Sequence, residues 1–225
     1  MRDVLLGFLD LETGGLDEHK HAVVEVAAAK VTPAGEVLCT FERKVRARSG
    51  FTVEHEAWAL HGMNGSCGGE PDETYRILRD FLEGTILAGH NVQYDARFLH
   101  QLQANGPSIR WLDHHVVDTA ALLVPAWLRG EIGSCSLGKA CAALGVKVHE
   151  PAHRALSDVL TTVELYRWIM KGRGREKAGG GPEIKFLLER WPAVSDPDDE
   201  DRALLLRRDA ALEKIERGGR REKKP

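Results

Sequence analysis

The sequence has no long apolar run and little excess charge of either sign. No segment approaches the ~20 apolar residues that a membrane-spanning helix needs, and the start, MRDVLLGFLDLET, reaches acidic residues too early for a signal peptide. We therefore expect a soluble, cytoplasmic protein without membrane contact. A net charge of −3 is not typical of a protein that coats duplex nucleic acid with a basic face.

Cysteine is also scarce, and no Cys-x-x-Cys pair of the zinc type is present. In a chain of 225 residues we expect the cysteines to be buried thiols and not a disulfide framework. The histidines of His19-Lys20-His21 and His114-His115 lack ligand spacing to a Cys or Glu motif, so a structural zinc site is not expected. The four cysteines are Cys39, Cys67, Cys135 and Cys141.

Apolar patterning predicts three strands, followed by helices that alternate with two short strands. The predicted strands cover residues 4–10, 22–31, 36–46, 85–89 and 115–118. The predicted helices of this region cover residues 54–61, 71–83, 94–104, 119–128, 136–144 and 155–170. The turn signal Pro33-Ala34-Gly35 makes strands two and three an antiparallel hairpin. This order predicts an α/β domain with a mixed five-stranded sheet flanked by helices.

Composition divides the chain into three parts. Residues 1–171 form the predicted α/β domain, and residues 172–182, rich in glycine and basic residues, form a predicted flexible linker. Residues 183–225 are a predicted helical extension whose basic end, GGRREKKP, we expect to be disordered.

Two acidic residues interrupt the apolar character of the first strand region, FLDLETGGLD. Asp10 and Glu12 are two residues apart, so in an extended strand both side chains project from the same face. Two carboxylates on one face are unfavourable unless cations hold them. The alternative is a solvated strand end.

Two further segments carry acidic residues beside apolar positions. Asp95 lies at the start of a predicted helix, where a capping role is the simpler interpretation. His153 and Asp158 are five residues apart and cannot share a helix face. We therefore expect His153 in a loop or first turn and Asp158 inside the helix; an ordinary surface role is the alternative for the histidine.

These three segments together resemble the exonuclease motifs of the DEDDh branch of the DEDD superfamily (DnaQ-like exonucleases). This branch includes the proofreading subunit of bacterial replicative polymerases, ribonuclease T and oligoribonuclease. The resemblance covers about residues 3–170 and includes His61-Gly62-Met63 and the helix from Ser136 to Gly145. One departure is Thr13-Gly14-Gly15, where many relatives have Thr-Thr-Gly, which puts loop stiffness and substrate preference in doubt.

The resemblance implies an RNase H-like fold and two Mg²⁺ or Mn²⁺ ions. Asp10, Glu12, Asp95 and Asp158 are the implied metal ligands; Asp10 bridges both ions and Glu12 also contacts the terminal 3′ hydroxyl. His153 is the implied general base. The implied substrate contacts are Thr13, Leu16, His61, Met63 and Asn91. For Leu16 and Met63 the alternative is simple core or turn packing.

The implied reaction is 3′→5′ hydrolysis of single-stranded or frayed DNA ends to nucleoside 5′-monophosphates, in proofreading or repair. An RNA-trimming or oligoribonuclease-like enzyme is an alternative, because recognition of the 2′ hydroxyl depends on contacts that the sequence does not locate. An inactive nucleic-acid-binding module is a third hypothesis. Residues 183–217 are a candidate docking element for a DNA polymerase subunit, and folding back onto the nuclease domain is the equal alternative. The sequence leaves the oligomeric state open.

Overall fold

The computed structural model describes residues 4–103 and 107–171, in which five strands form one mixed sheet. The strands are β1 (Leu6–Thr13), β2 (Val23–Val31), β3 (Val37–Lys44), β4 (Ile86–Gly89) and β5 (Val117–Asp118). Their order is β3-β2-β1-β4-β5. The pairs β1–β2 and β2–β3 are antiparallel, whereas β1–β4 and β4–β5 are parallel. The predicted mixed five-stranded sheet is confirmed.

Helices connect and cover these strands close to the predicted positions. They are α1 (His55–His61), α2 (Pro71–Leu82), α3 (Gln93–Leu102), α4 (Thr119–Leu128), α5 (Leu137–Leu144) and α6 (Ala155–Met170). Gly62 and Gly145 end α1 and α5 in the left-handed conformation, which glycine adopts without steric penalty. Helix α2 begins with proline, whose missing backbone N–H is not needed in the first turn.

The central strand β1 contributes to an apolar layer on each side of the sheet. Leu9 and Leu11 pack in a cluster with α2 and α3 residues such as Leu78 and Phe98. The alternate residues of β1 pack in a second cluster with α6; these are Leu6 and Phe8. Because side chains two apart share a face, Asp10 and Glu12 continue the row that faces α6.

One predicted strand end needs correction, and one strand departs from the alternating burial of a half-buried strand. Strand β1 extends to Thr13, three residues past its predicted end, because Glu12 and Thr13 still pair with β2. Strand β2 is buried on both faces and does not alternate, because it lies between two strands and is covered on both sides.

The prediction that the cysteines are buried is wrong for two of the four. Cys39 is exposed because it lies on β3, the edge strand of the sheet, and Cys67 is exposed in the loop before α2. Cys135 is partly buried and Cys141 is fully buried. All four are free thiols, so the expected absence of a disulfide framework is confirmed.

The predicted linker and helical extension, residues 172–225, lie outside the described residues. Within residues 4–103 and 107–171, none of the helices combines the length and the apolar character needed to cross a membrane.

Candidate active site

Strand β1 brings two carboxylates to the face of the sheet that α6 covers. Asp10 pairs with Ala27 of β2 and Glu12 pairs with Glu25, so both acidic residues lie inside the paired strand. Glu12 is only 8% exposed. The alternative of a solvated strand end is therefore wrong.

Helix α3 adds the third carboxylate, which lies against the same strand. Asp95 is 4% exposed, and its Oδ1 accepts a hydrogen bond of 2.9 Å from the backbone N–H of Leu11. Asp95 lies in the first turn of α3, where its carboxylate also accepts its own backbone N–H, so the interpretation as a helix-terminal acid accounts for only part of its contacts. The long-range hydrogen bond from Leu11 fixes Asp95 beside Asp10 and Glu12.

The last pair lies at the start of α6, as its spacing predicts. His153 precedes the helix, is exposed, and has a left-handed backbone with φ of 59°. Asp158 lies in the first turn of α6, and its carboxylate accepts a hydrogen bond from the backbone N–H of His153. One ligand atom each of Glu12, His153 and Asp158 lies within 4.8 Å of the other two. Three segments distant in sequence therefore converge.

Crowding makes ionisation of these acidic residues unfavourable. Burial, then the charge of Asp158, raises the pKa of Glu12 to about 8. Burial also raises the pKa of Asp95 to about 7, although the hydrogen bond from Leu11 opposes this. The pKa of Asp10 lies well above its usual range because of burial and the charges of Asp95 and Asp158. A cation among these oxygens would relieve the repulsion, and an oxygen-rich set suits hard divalent ions.

The loop after β1 is held by side chains from α1 and α3. The backbone N–H of Met63 donates to Nδ1 of His61 at 3.1 Å, so His61 Nε2–H donates to the Thr13 carbonyl at 3.1 Å. Burial lowers the pKa of His61, which favours this neutral form. On the other side, the Tyr94 hydroxyl donates to the Gly15 carbonyl at 2.9 Å.

The predicted substrate contacts differ in how freely they face solvent. Leu16, in the loop that follows β1, is 81% exposed, and Met63 is partly buried. Asn91 is exposed and has a left-handed backbone with φ of 57°; its backbone N–H donates to Asp118. His61 differs from the others, since both of its ring nitrogens already have protein partners.

Three contributors were missed in the sequence. Glu25 of β2 is fully buried and forms an ion pair with Arg154, the residue that follows His153. Asp118 accepts hydrogen bonds from the Ala120 and Ala121 N–H groups at the start of α4. The acidic residue within the apolar stretch VVEVAAAKV could have indicated that Glu25 is buried and needs a partner. Nothing in the neighbouring sequence identifies Arg154 as that partner.

A second group of possible ligands lies at the surface. His114 and His115 place ring nitrogens within 4.8 Å of a carboxylate oxygen of Asp113. Asp113 already accepts hydrogen bonds from the backbone N–H of His115 and from its ring, and both histidines are exposed.

A converging carboxylate–histidine site on a mixed five-stranded sheet is typical of nucleases with an RNase H-like fold, and the comparisons agree. The family model described as Exonuclease (RNase_T) matches residues 8–166, so the chain belongs to this family. The chain therefore carries an exonuclease-family domain of DnaQ-like type, as the resemblance predicted.

Curated relatives are much longer than the matched region. A DNA polymerase III subunit epsilon-like protein of Rhodobacter capsulatus is 29% identical to this chain in the aligned region. That region includes 73% of this chain and 24% of the Rhodobacter protein. The DNA polymerase III subunit epsilon of Treponema pallidum is 28% identical over 51% of this chain and 55% of that protein.

Solved structures support the fold. Exonuclease X in complex with 5′ overhanging duplex DNA superposes with a TM-score of 0.56 and 22% sequence identity. The superposed region includes 75% of this chain and 93% of the exonuclease X chain. Zinc-bound Escherichia coli exonuclease I in complex with single-stranded DNA superposes with a TM-score of 0.64 and 18% sequence identity. The superposed region includes 77% of this chain and 42% of the exonuclease I chain.

Proposed function

We propose that the protein is a divalent-metal-dependent 3′→5′ exonuclease that releases nucleoside 5′-monophosphates from single-stranded or frayed DNA ends. The observation that carries this proposal is the convergence of Glu12, His153 and Asp158 within 4.8 Å, with Asp10 and Asp95 beside them. Order and spacing of these residues follow the family's three motifs.

The metal ligands in this proposal are Asp10, Glu12, Asp95 and Asp158, and the ions are two Mg²⁺ or Mn²⁺. Burial raises the pKa of all four carboxyl groups, and the charges of the neighbouring ligands raise the pKa of Asp10 and Glu12 further. Divalent cations would stabilise the charged forms and displace the protons. Two divalent ions at such a site supply charge stabilisation for an in-line displacement at phosphorus and a lowered pKa for the attacking water.

His153 is the proposed general base. It is exposed, so it is accessible to a water molecule beside the substrate, and a neutral imidazole nitrogen can accept a proton. The Asp158 carboxylate accepts the His153 backbone N–H, and this bond holds the loop beside the metal ligands. The chain's own part in the reaction is therefore to position the terminal phosphodiester and to accept a proton at the His153 ring.

Leu16, Met63, Asn91 and the Thr13 backbone are the proposed contacts for the terminal nucleotides. Leu16 is suited to packing against a base, because it is a large apolar side chain left 81% exposed near the site. For His61 we propose an indirect role, since its ring is already bonded to Thr13 and Met63. It holds the two backbone segments that flank the nucleotide.

DNA is the proposed substrate because one neighbouring structure contains single-stranded DNA and another contains 5′ overhanging duplex DNA. The curated relatives named above are DNA polymerase III subunits or resemble them, which supports a polymerase as a possible partner and proofreading or repair as the role. The chain spans only part of those proteins, so this partnership is inferred from the shared domain.

The test uses 5′-labelled single strands of DNA and RNA with the same sequence, incubated with Mn²⁺ or Mg²⁺ and, separately, with EDTA. We expect a ladder that shortens from the 3′ end of DNA, its loss in EDTA, and protection by a 3′-terminal phosphorothioate. Asp10→Asn should abolish the ladder, whereas Asp80→Asn, at an acid paired with Arg79 on the surface, should not.

Each other outcome contradicts a named part of the proposal. Faster hydrolysis of RNA than of DNA would contradict DNA as the substrate and favour the RNA-trimming alternative. Release of the 5′ label in a mononucleotide, without a ladder, would overturn the polarity, and activity in EDTA would overturn metal dependence. Binding of both strands without cleavage under every condition would favour the inactive module.

A further inference from the structure

A buried ion pair connects the strand that faces the site with the segment that carries His153. Glu25 of β2 is 0% exposed, and Arg154 immediately follows His153. The Arg154 guanidinium donates from Nε and Nη2 to both carboxylate oxygens, with distances of 2.7 to 3.2 Å. The backbone N–H of Ala155 donates to Glu25 Oε2 at 3.0 Å. Glu25 therefore holds both the side chain and the backbone of this segment.

The position of this pair in the sheet relates it directly to the site. Glu25 is the cross-strand partner of Glu12, and directly opposite residues of an antiparallel pair project from the same face. Two opposed carboxylates repel each other, and the Arg154 charge offsets this repulsion from the α6 side. The same residue thus compensates Glu25 and lies next to His153.

Arg154 is poorly suited to the more obvious role of a phosphate ligand. Its guanidinium makes a bidentate contact with Glu25, and Nη2 also lies 3.5 Å from Glu42 on β3. Two carboxylates already neutralise its charge. A bidentate contact of this kind fixes orientation as well as distance, which is a property of the arginine fork that lysine lacks.

The backbone at His153 needs such a support. A histidine with φ of 59° has a conformation that L-residues seldom adopt, and it persists only when surrounding contacts maintain it. The contacts come from two sides: Asp158 accepts the His153 backbone N–H, and Glu25 binds the two residues that follow. Loss of the Glu25 contact would release one of these restraints.

We propose that Glu25 and Arg154 are a positioning pair, which fixes His153 and Asp158 at the distance from Glu12 that metal binding and turnover require. This inference rests on the proposed nuclease function. Residues that orient metal ligands typically change metal affinity or activity by about 10–100-fold when they are replaced. Neither residue needs to touch the substrate.

The test compares Arg154→Lys and the double variant Glu25→Gln/Arg154→Gln with the wild-type chain. The lysine keeps the charge without the fork, and the double variant removes both charges without leaving a buried carboxylate unpaired. We expect kcat to fall about 10-fold and 10–100-fold respectively, with KM for the oligonucleotide within about 3-fold of wild type. Mn²⁺ affinity, measured by electron paramagnetic resonance of free Mn²⁺ without nucleic acid, should fall by about 10-fold or more.

Arg167→Gln is the matched control. Arg154 immediately precedes α6, whereas Arg167 lies near the other end of this helix, where it pairs with Glu164 at 2.7 Å. This variant should keep wild-type kcat and Mn²⁺ affinity even if its melting temperature falls. Thermal unfolding of every variant in EDTA shows whether the variant still folds. A loss of activity in a folded variant is then attributable to displacement of His153 and Asp158.

Two results would overturn the positioning role. One is wild-type Mn²⁺ affinity and kcat in either folded variant, and the other is an equal loss in Arg167→Gln. If the lysine variant does not fold, the double variant decides the question. An inactive wild-type chain would refute the proposed function, while the Mn²⁺ titrations would still test the positioning pair.

Discussion

Replacement of Glu12 by glutamine should stabilise the metal-free protein at high pH. The pKa of Glu12 is about 8, against 4.5 for an ordinary glutamate, because burial and neighbouring carboxylates disfavour its charge. A pKa raised by folding contributes stability that is fully present below pH 4.5 and is lost as the pH rises through about 8. Glutamine has a similar shape and never ionises, so it avoids this loss.

The expected size of the effect follows from the difference between these pKa values. At about 1.36 kcal/mol per unit, the full difference sets an upper limit of roughly 5 kcal/mol above pH 8. Solvent penetration and relaxation reduce the cost of a buried charge, so we expect about 2 kcal/mol. Near pH 5 the two proteins should differ by less than about 1 kcal/mol, since most of the loss develops between pH 5 and the folded-state pKa of about 8.

The assay is urea unfolding followed by circular dichroism, in EDTA and then in excess Mn²⁺, at about pH 5 and about pH 9. In Mn²⁺ the order of stability should reverse, because wild type binds the ion more tightly and ligand binding stabilises the folded state. Glu36→Gln, at an exposed glutamate in the β2–β3 turn, controls for loss of a surface charge. A Glu12→Gln variant less stable than wild type at pH 9 in EDTA would refute the argument from crowding.

Three further variants test individual residues. Asp158→Asn should lose hydrolysis while remaining folded, and a retained 3′ ladder would remove it from the metal site. His153→Ala should reduce kcat by about 10²–10⁴-fold, as expected for loss of a general base; an unchanged rate would mean that another group accepts the proton. Tyr94→Phe should cost about 1 kcal/mol of unfolding free energy through its bond to Gly15 and raise KM by loosening the Thr13 loop. Unchanged stability and KM would show that this bond does not hold the loop.

Local patterning was sufficient to predict most of the elements. Helix α6 was predicted over residues 155–170 and is observed over Ala155–Met170, and α4 also has its predicted bounds. Helix α6 has apolar residues at helical spacing, such as Val159 and Val163, and Asp118 caps the start of α4, so these signals lie within or directly beside each segment. The order of strands and helices was then enough for the α/β class and the mixed sheet.

Long-range contacts account for what the sequence did not predict. The extension of β1 to Thr13 depends on pairing with β2, and the position of Asp95 depends on a hydrogen bond to Leu11, 84 residues away. Neither partner can be identified from the neighbouring sequence. An acid in a first helical turn is ordinarily a cap, and only the tertiary contact shows that Asp95 is turned toward β1.

Glu25 illustrates the same limit at the candidate site. Its burial in β2 was signalled by the apolar residues around it, since a lone buried acid requires a partner. Its partner is Arg154, 129 residues further along the chain, in a motif where the histidine and the aspartate drew attention first. Motif spacing thus identified the residues that face the proposed metal ions but not the pair behind them.

The packing of β1 against α6 also determines the geometry of the candidate site. Phe8 packs against Tyr166 in an edge-to-face contact with ring centroids 5.5 Å apart, and Asp10 and Glu12 continue the same side-chain row toward Asp158 at the start of the helix. A slip of one residue in strand register would turn the whole row to the opposite face and remove both acids from α6. The burial of Phe8 therefore stabilises the fold and keeps the acids aligned with Asp158, so the carboxylates are held together by the core despite their mutual repulsion.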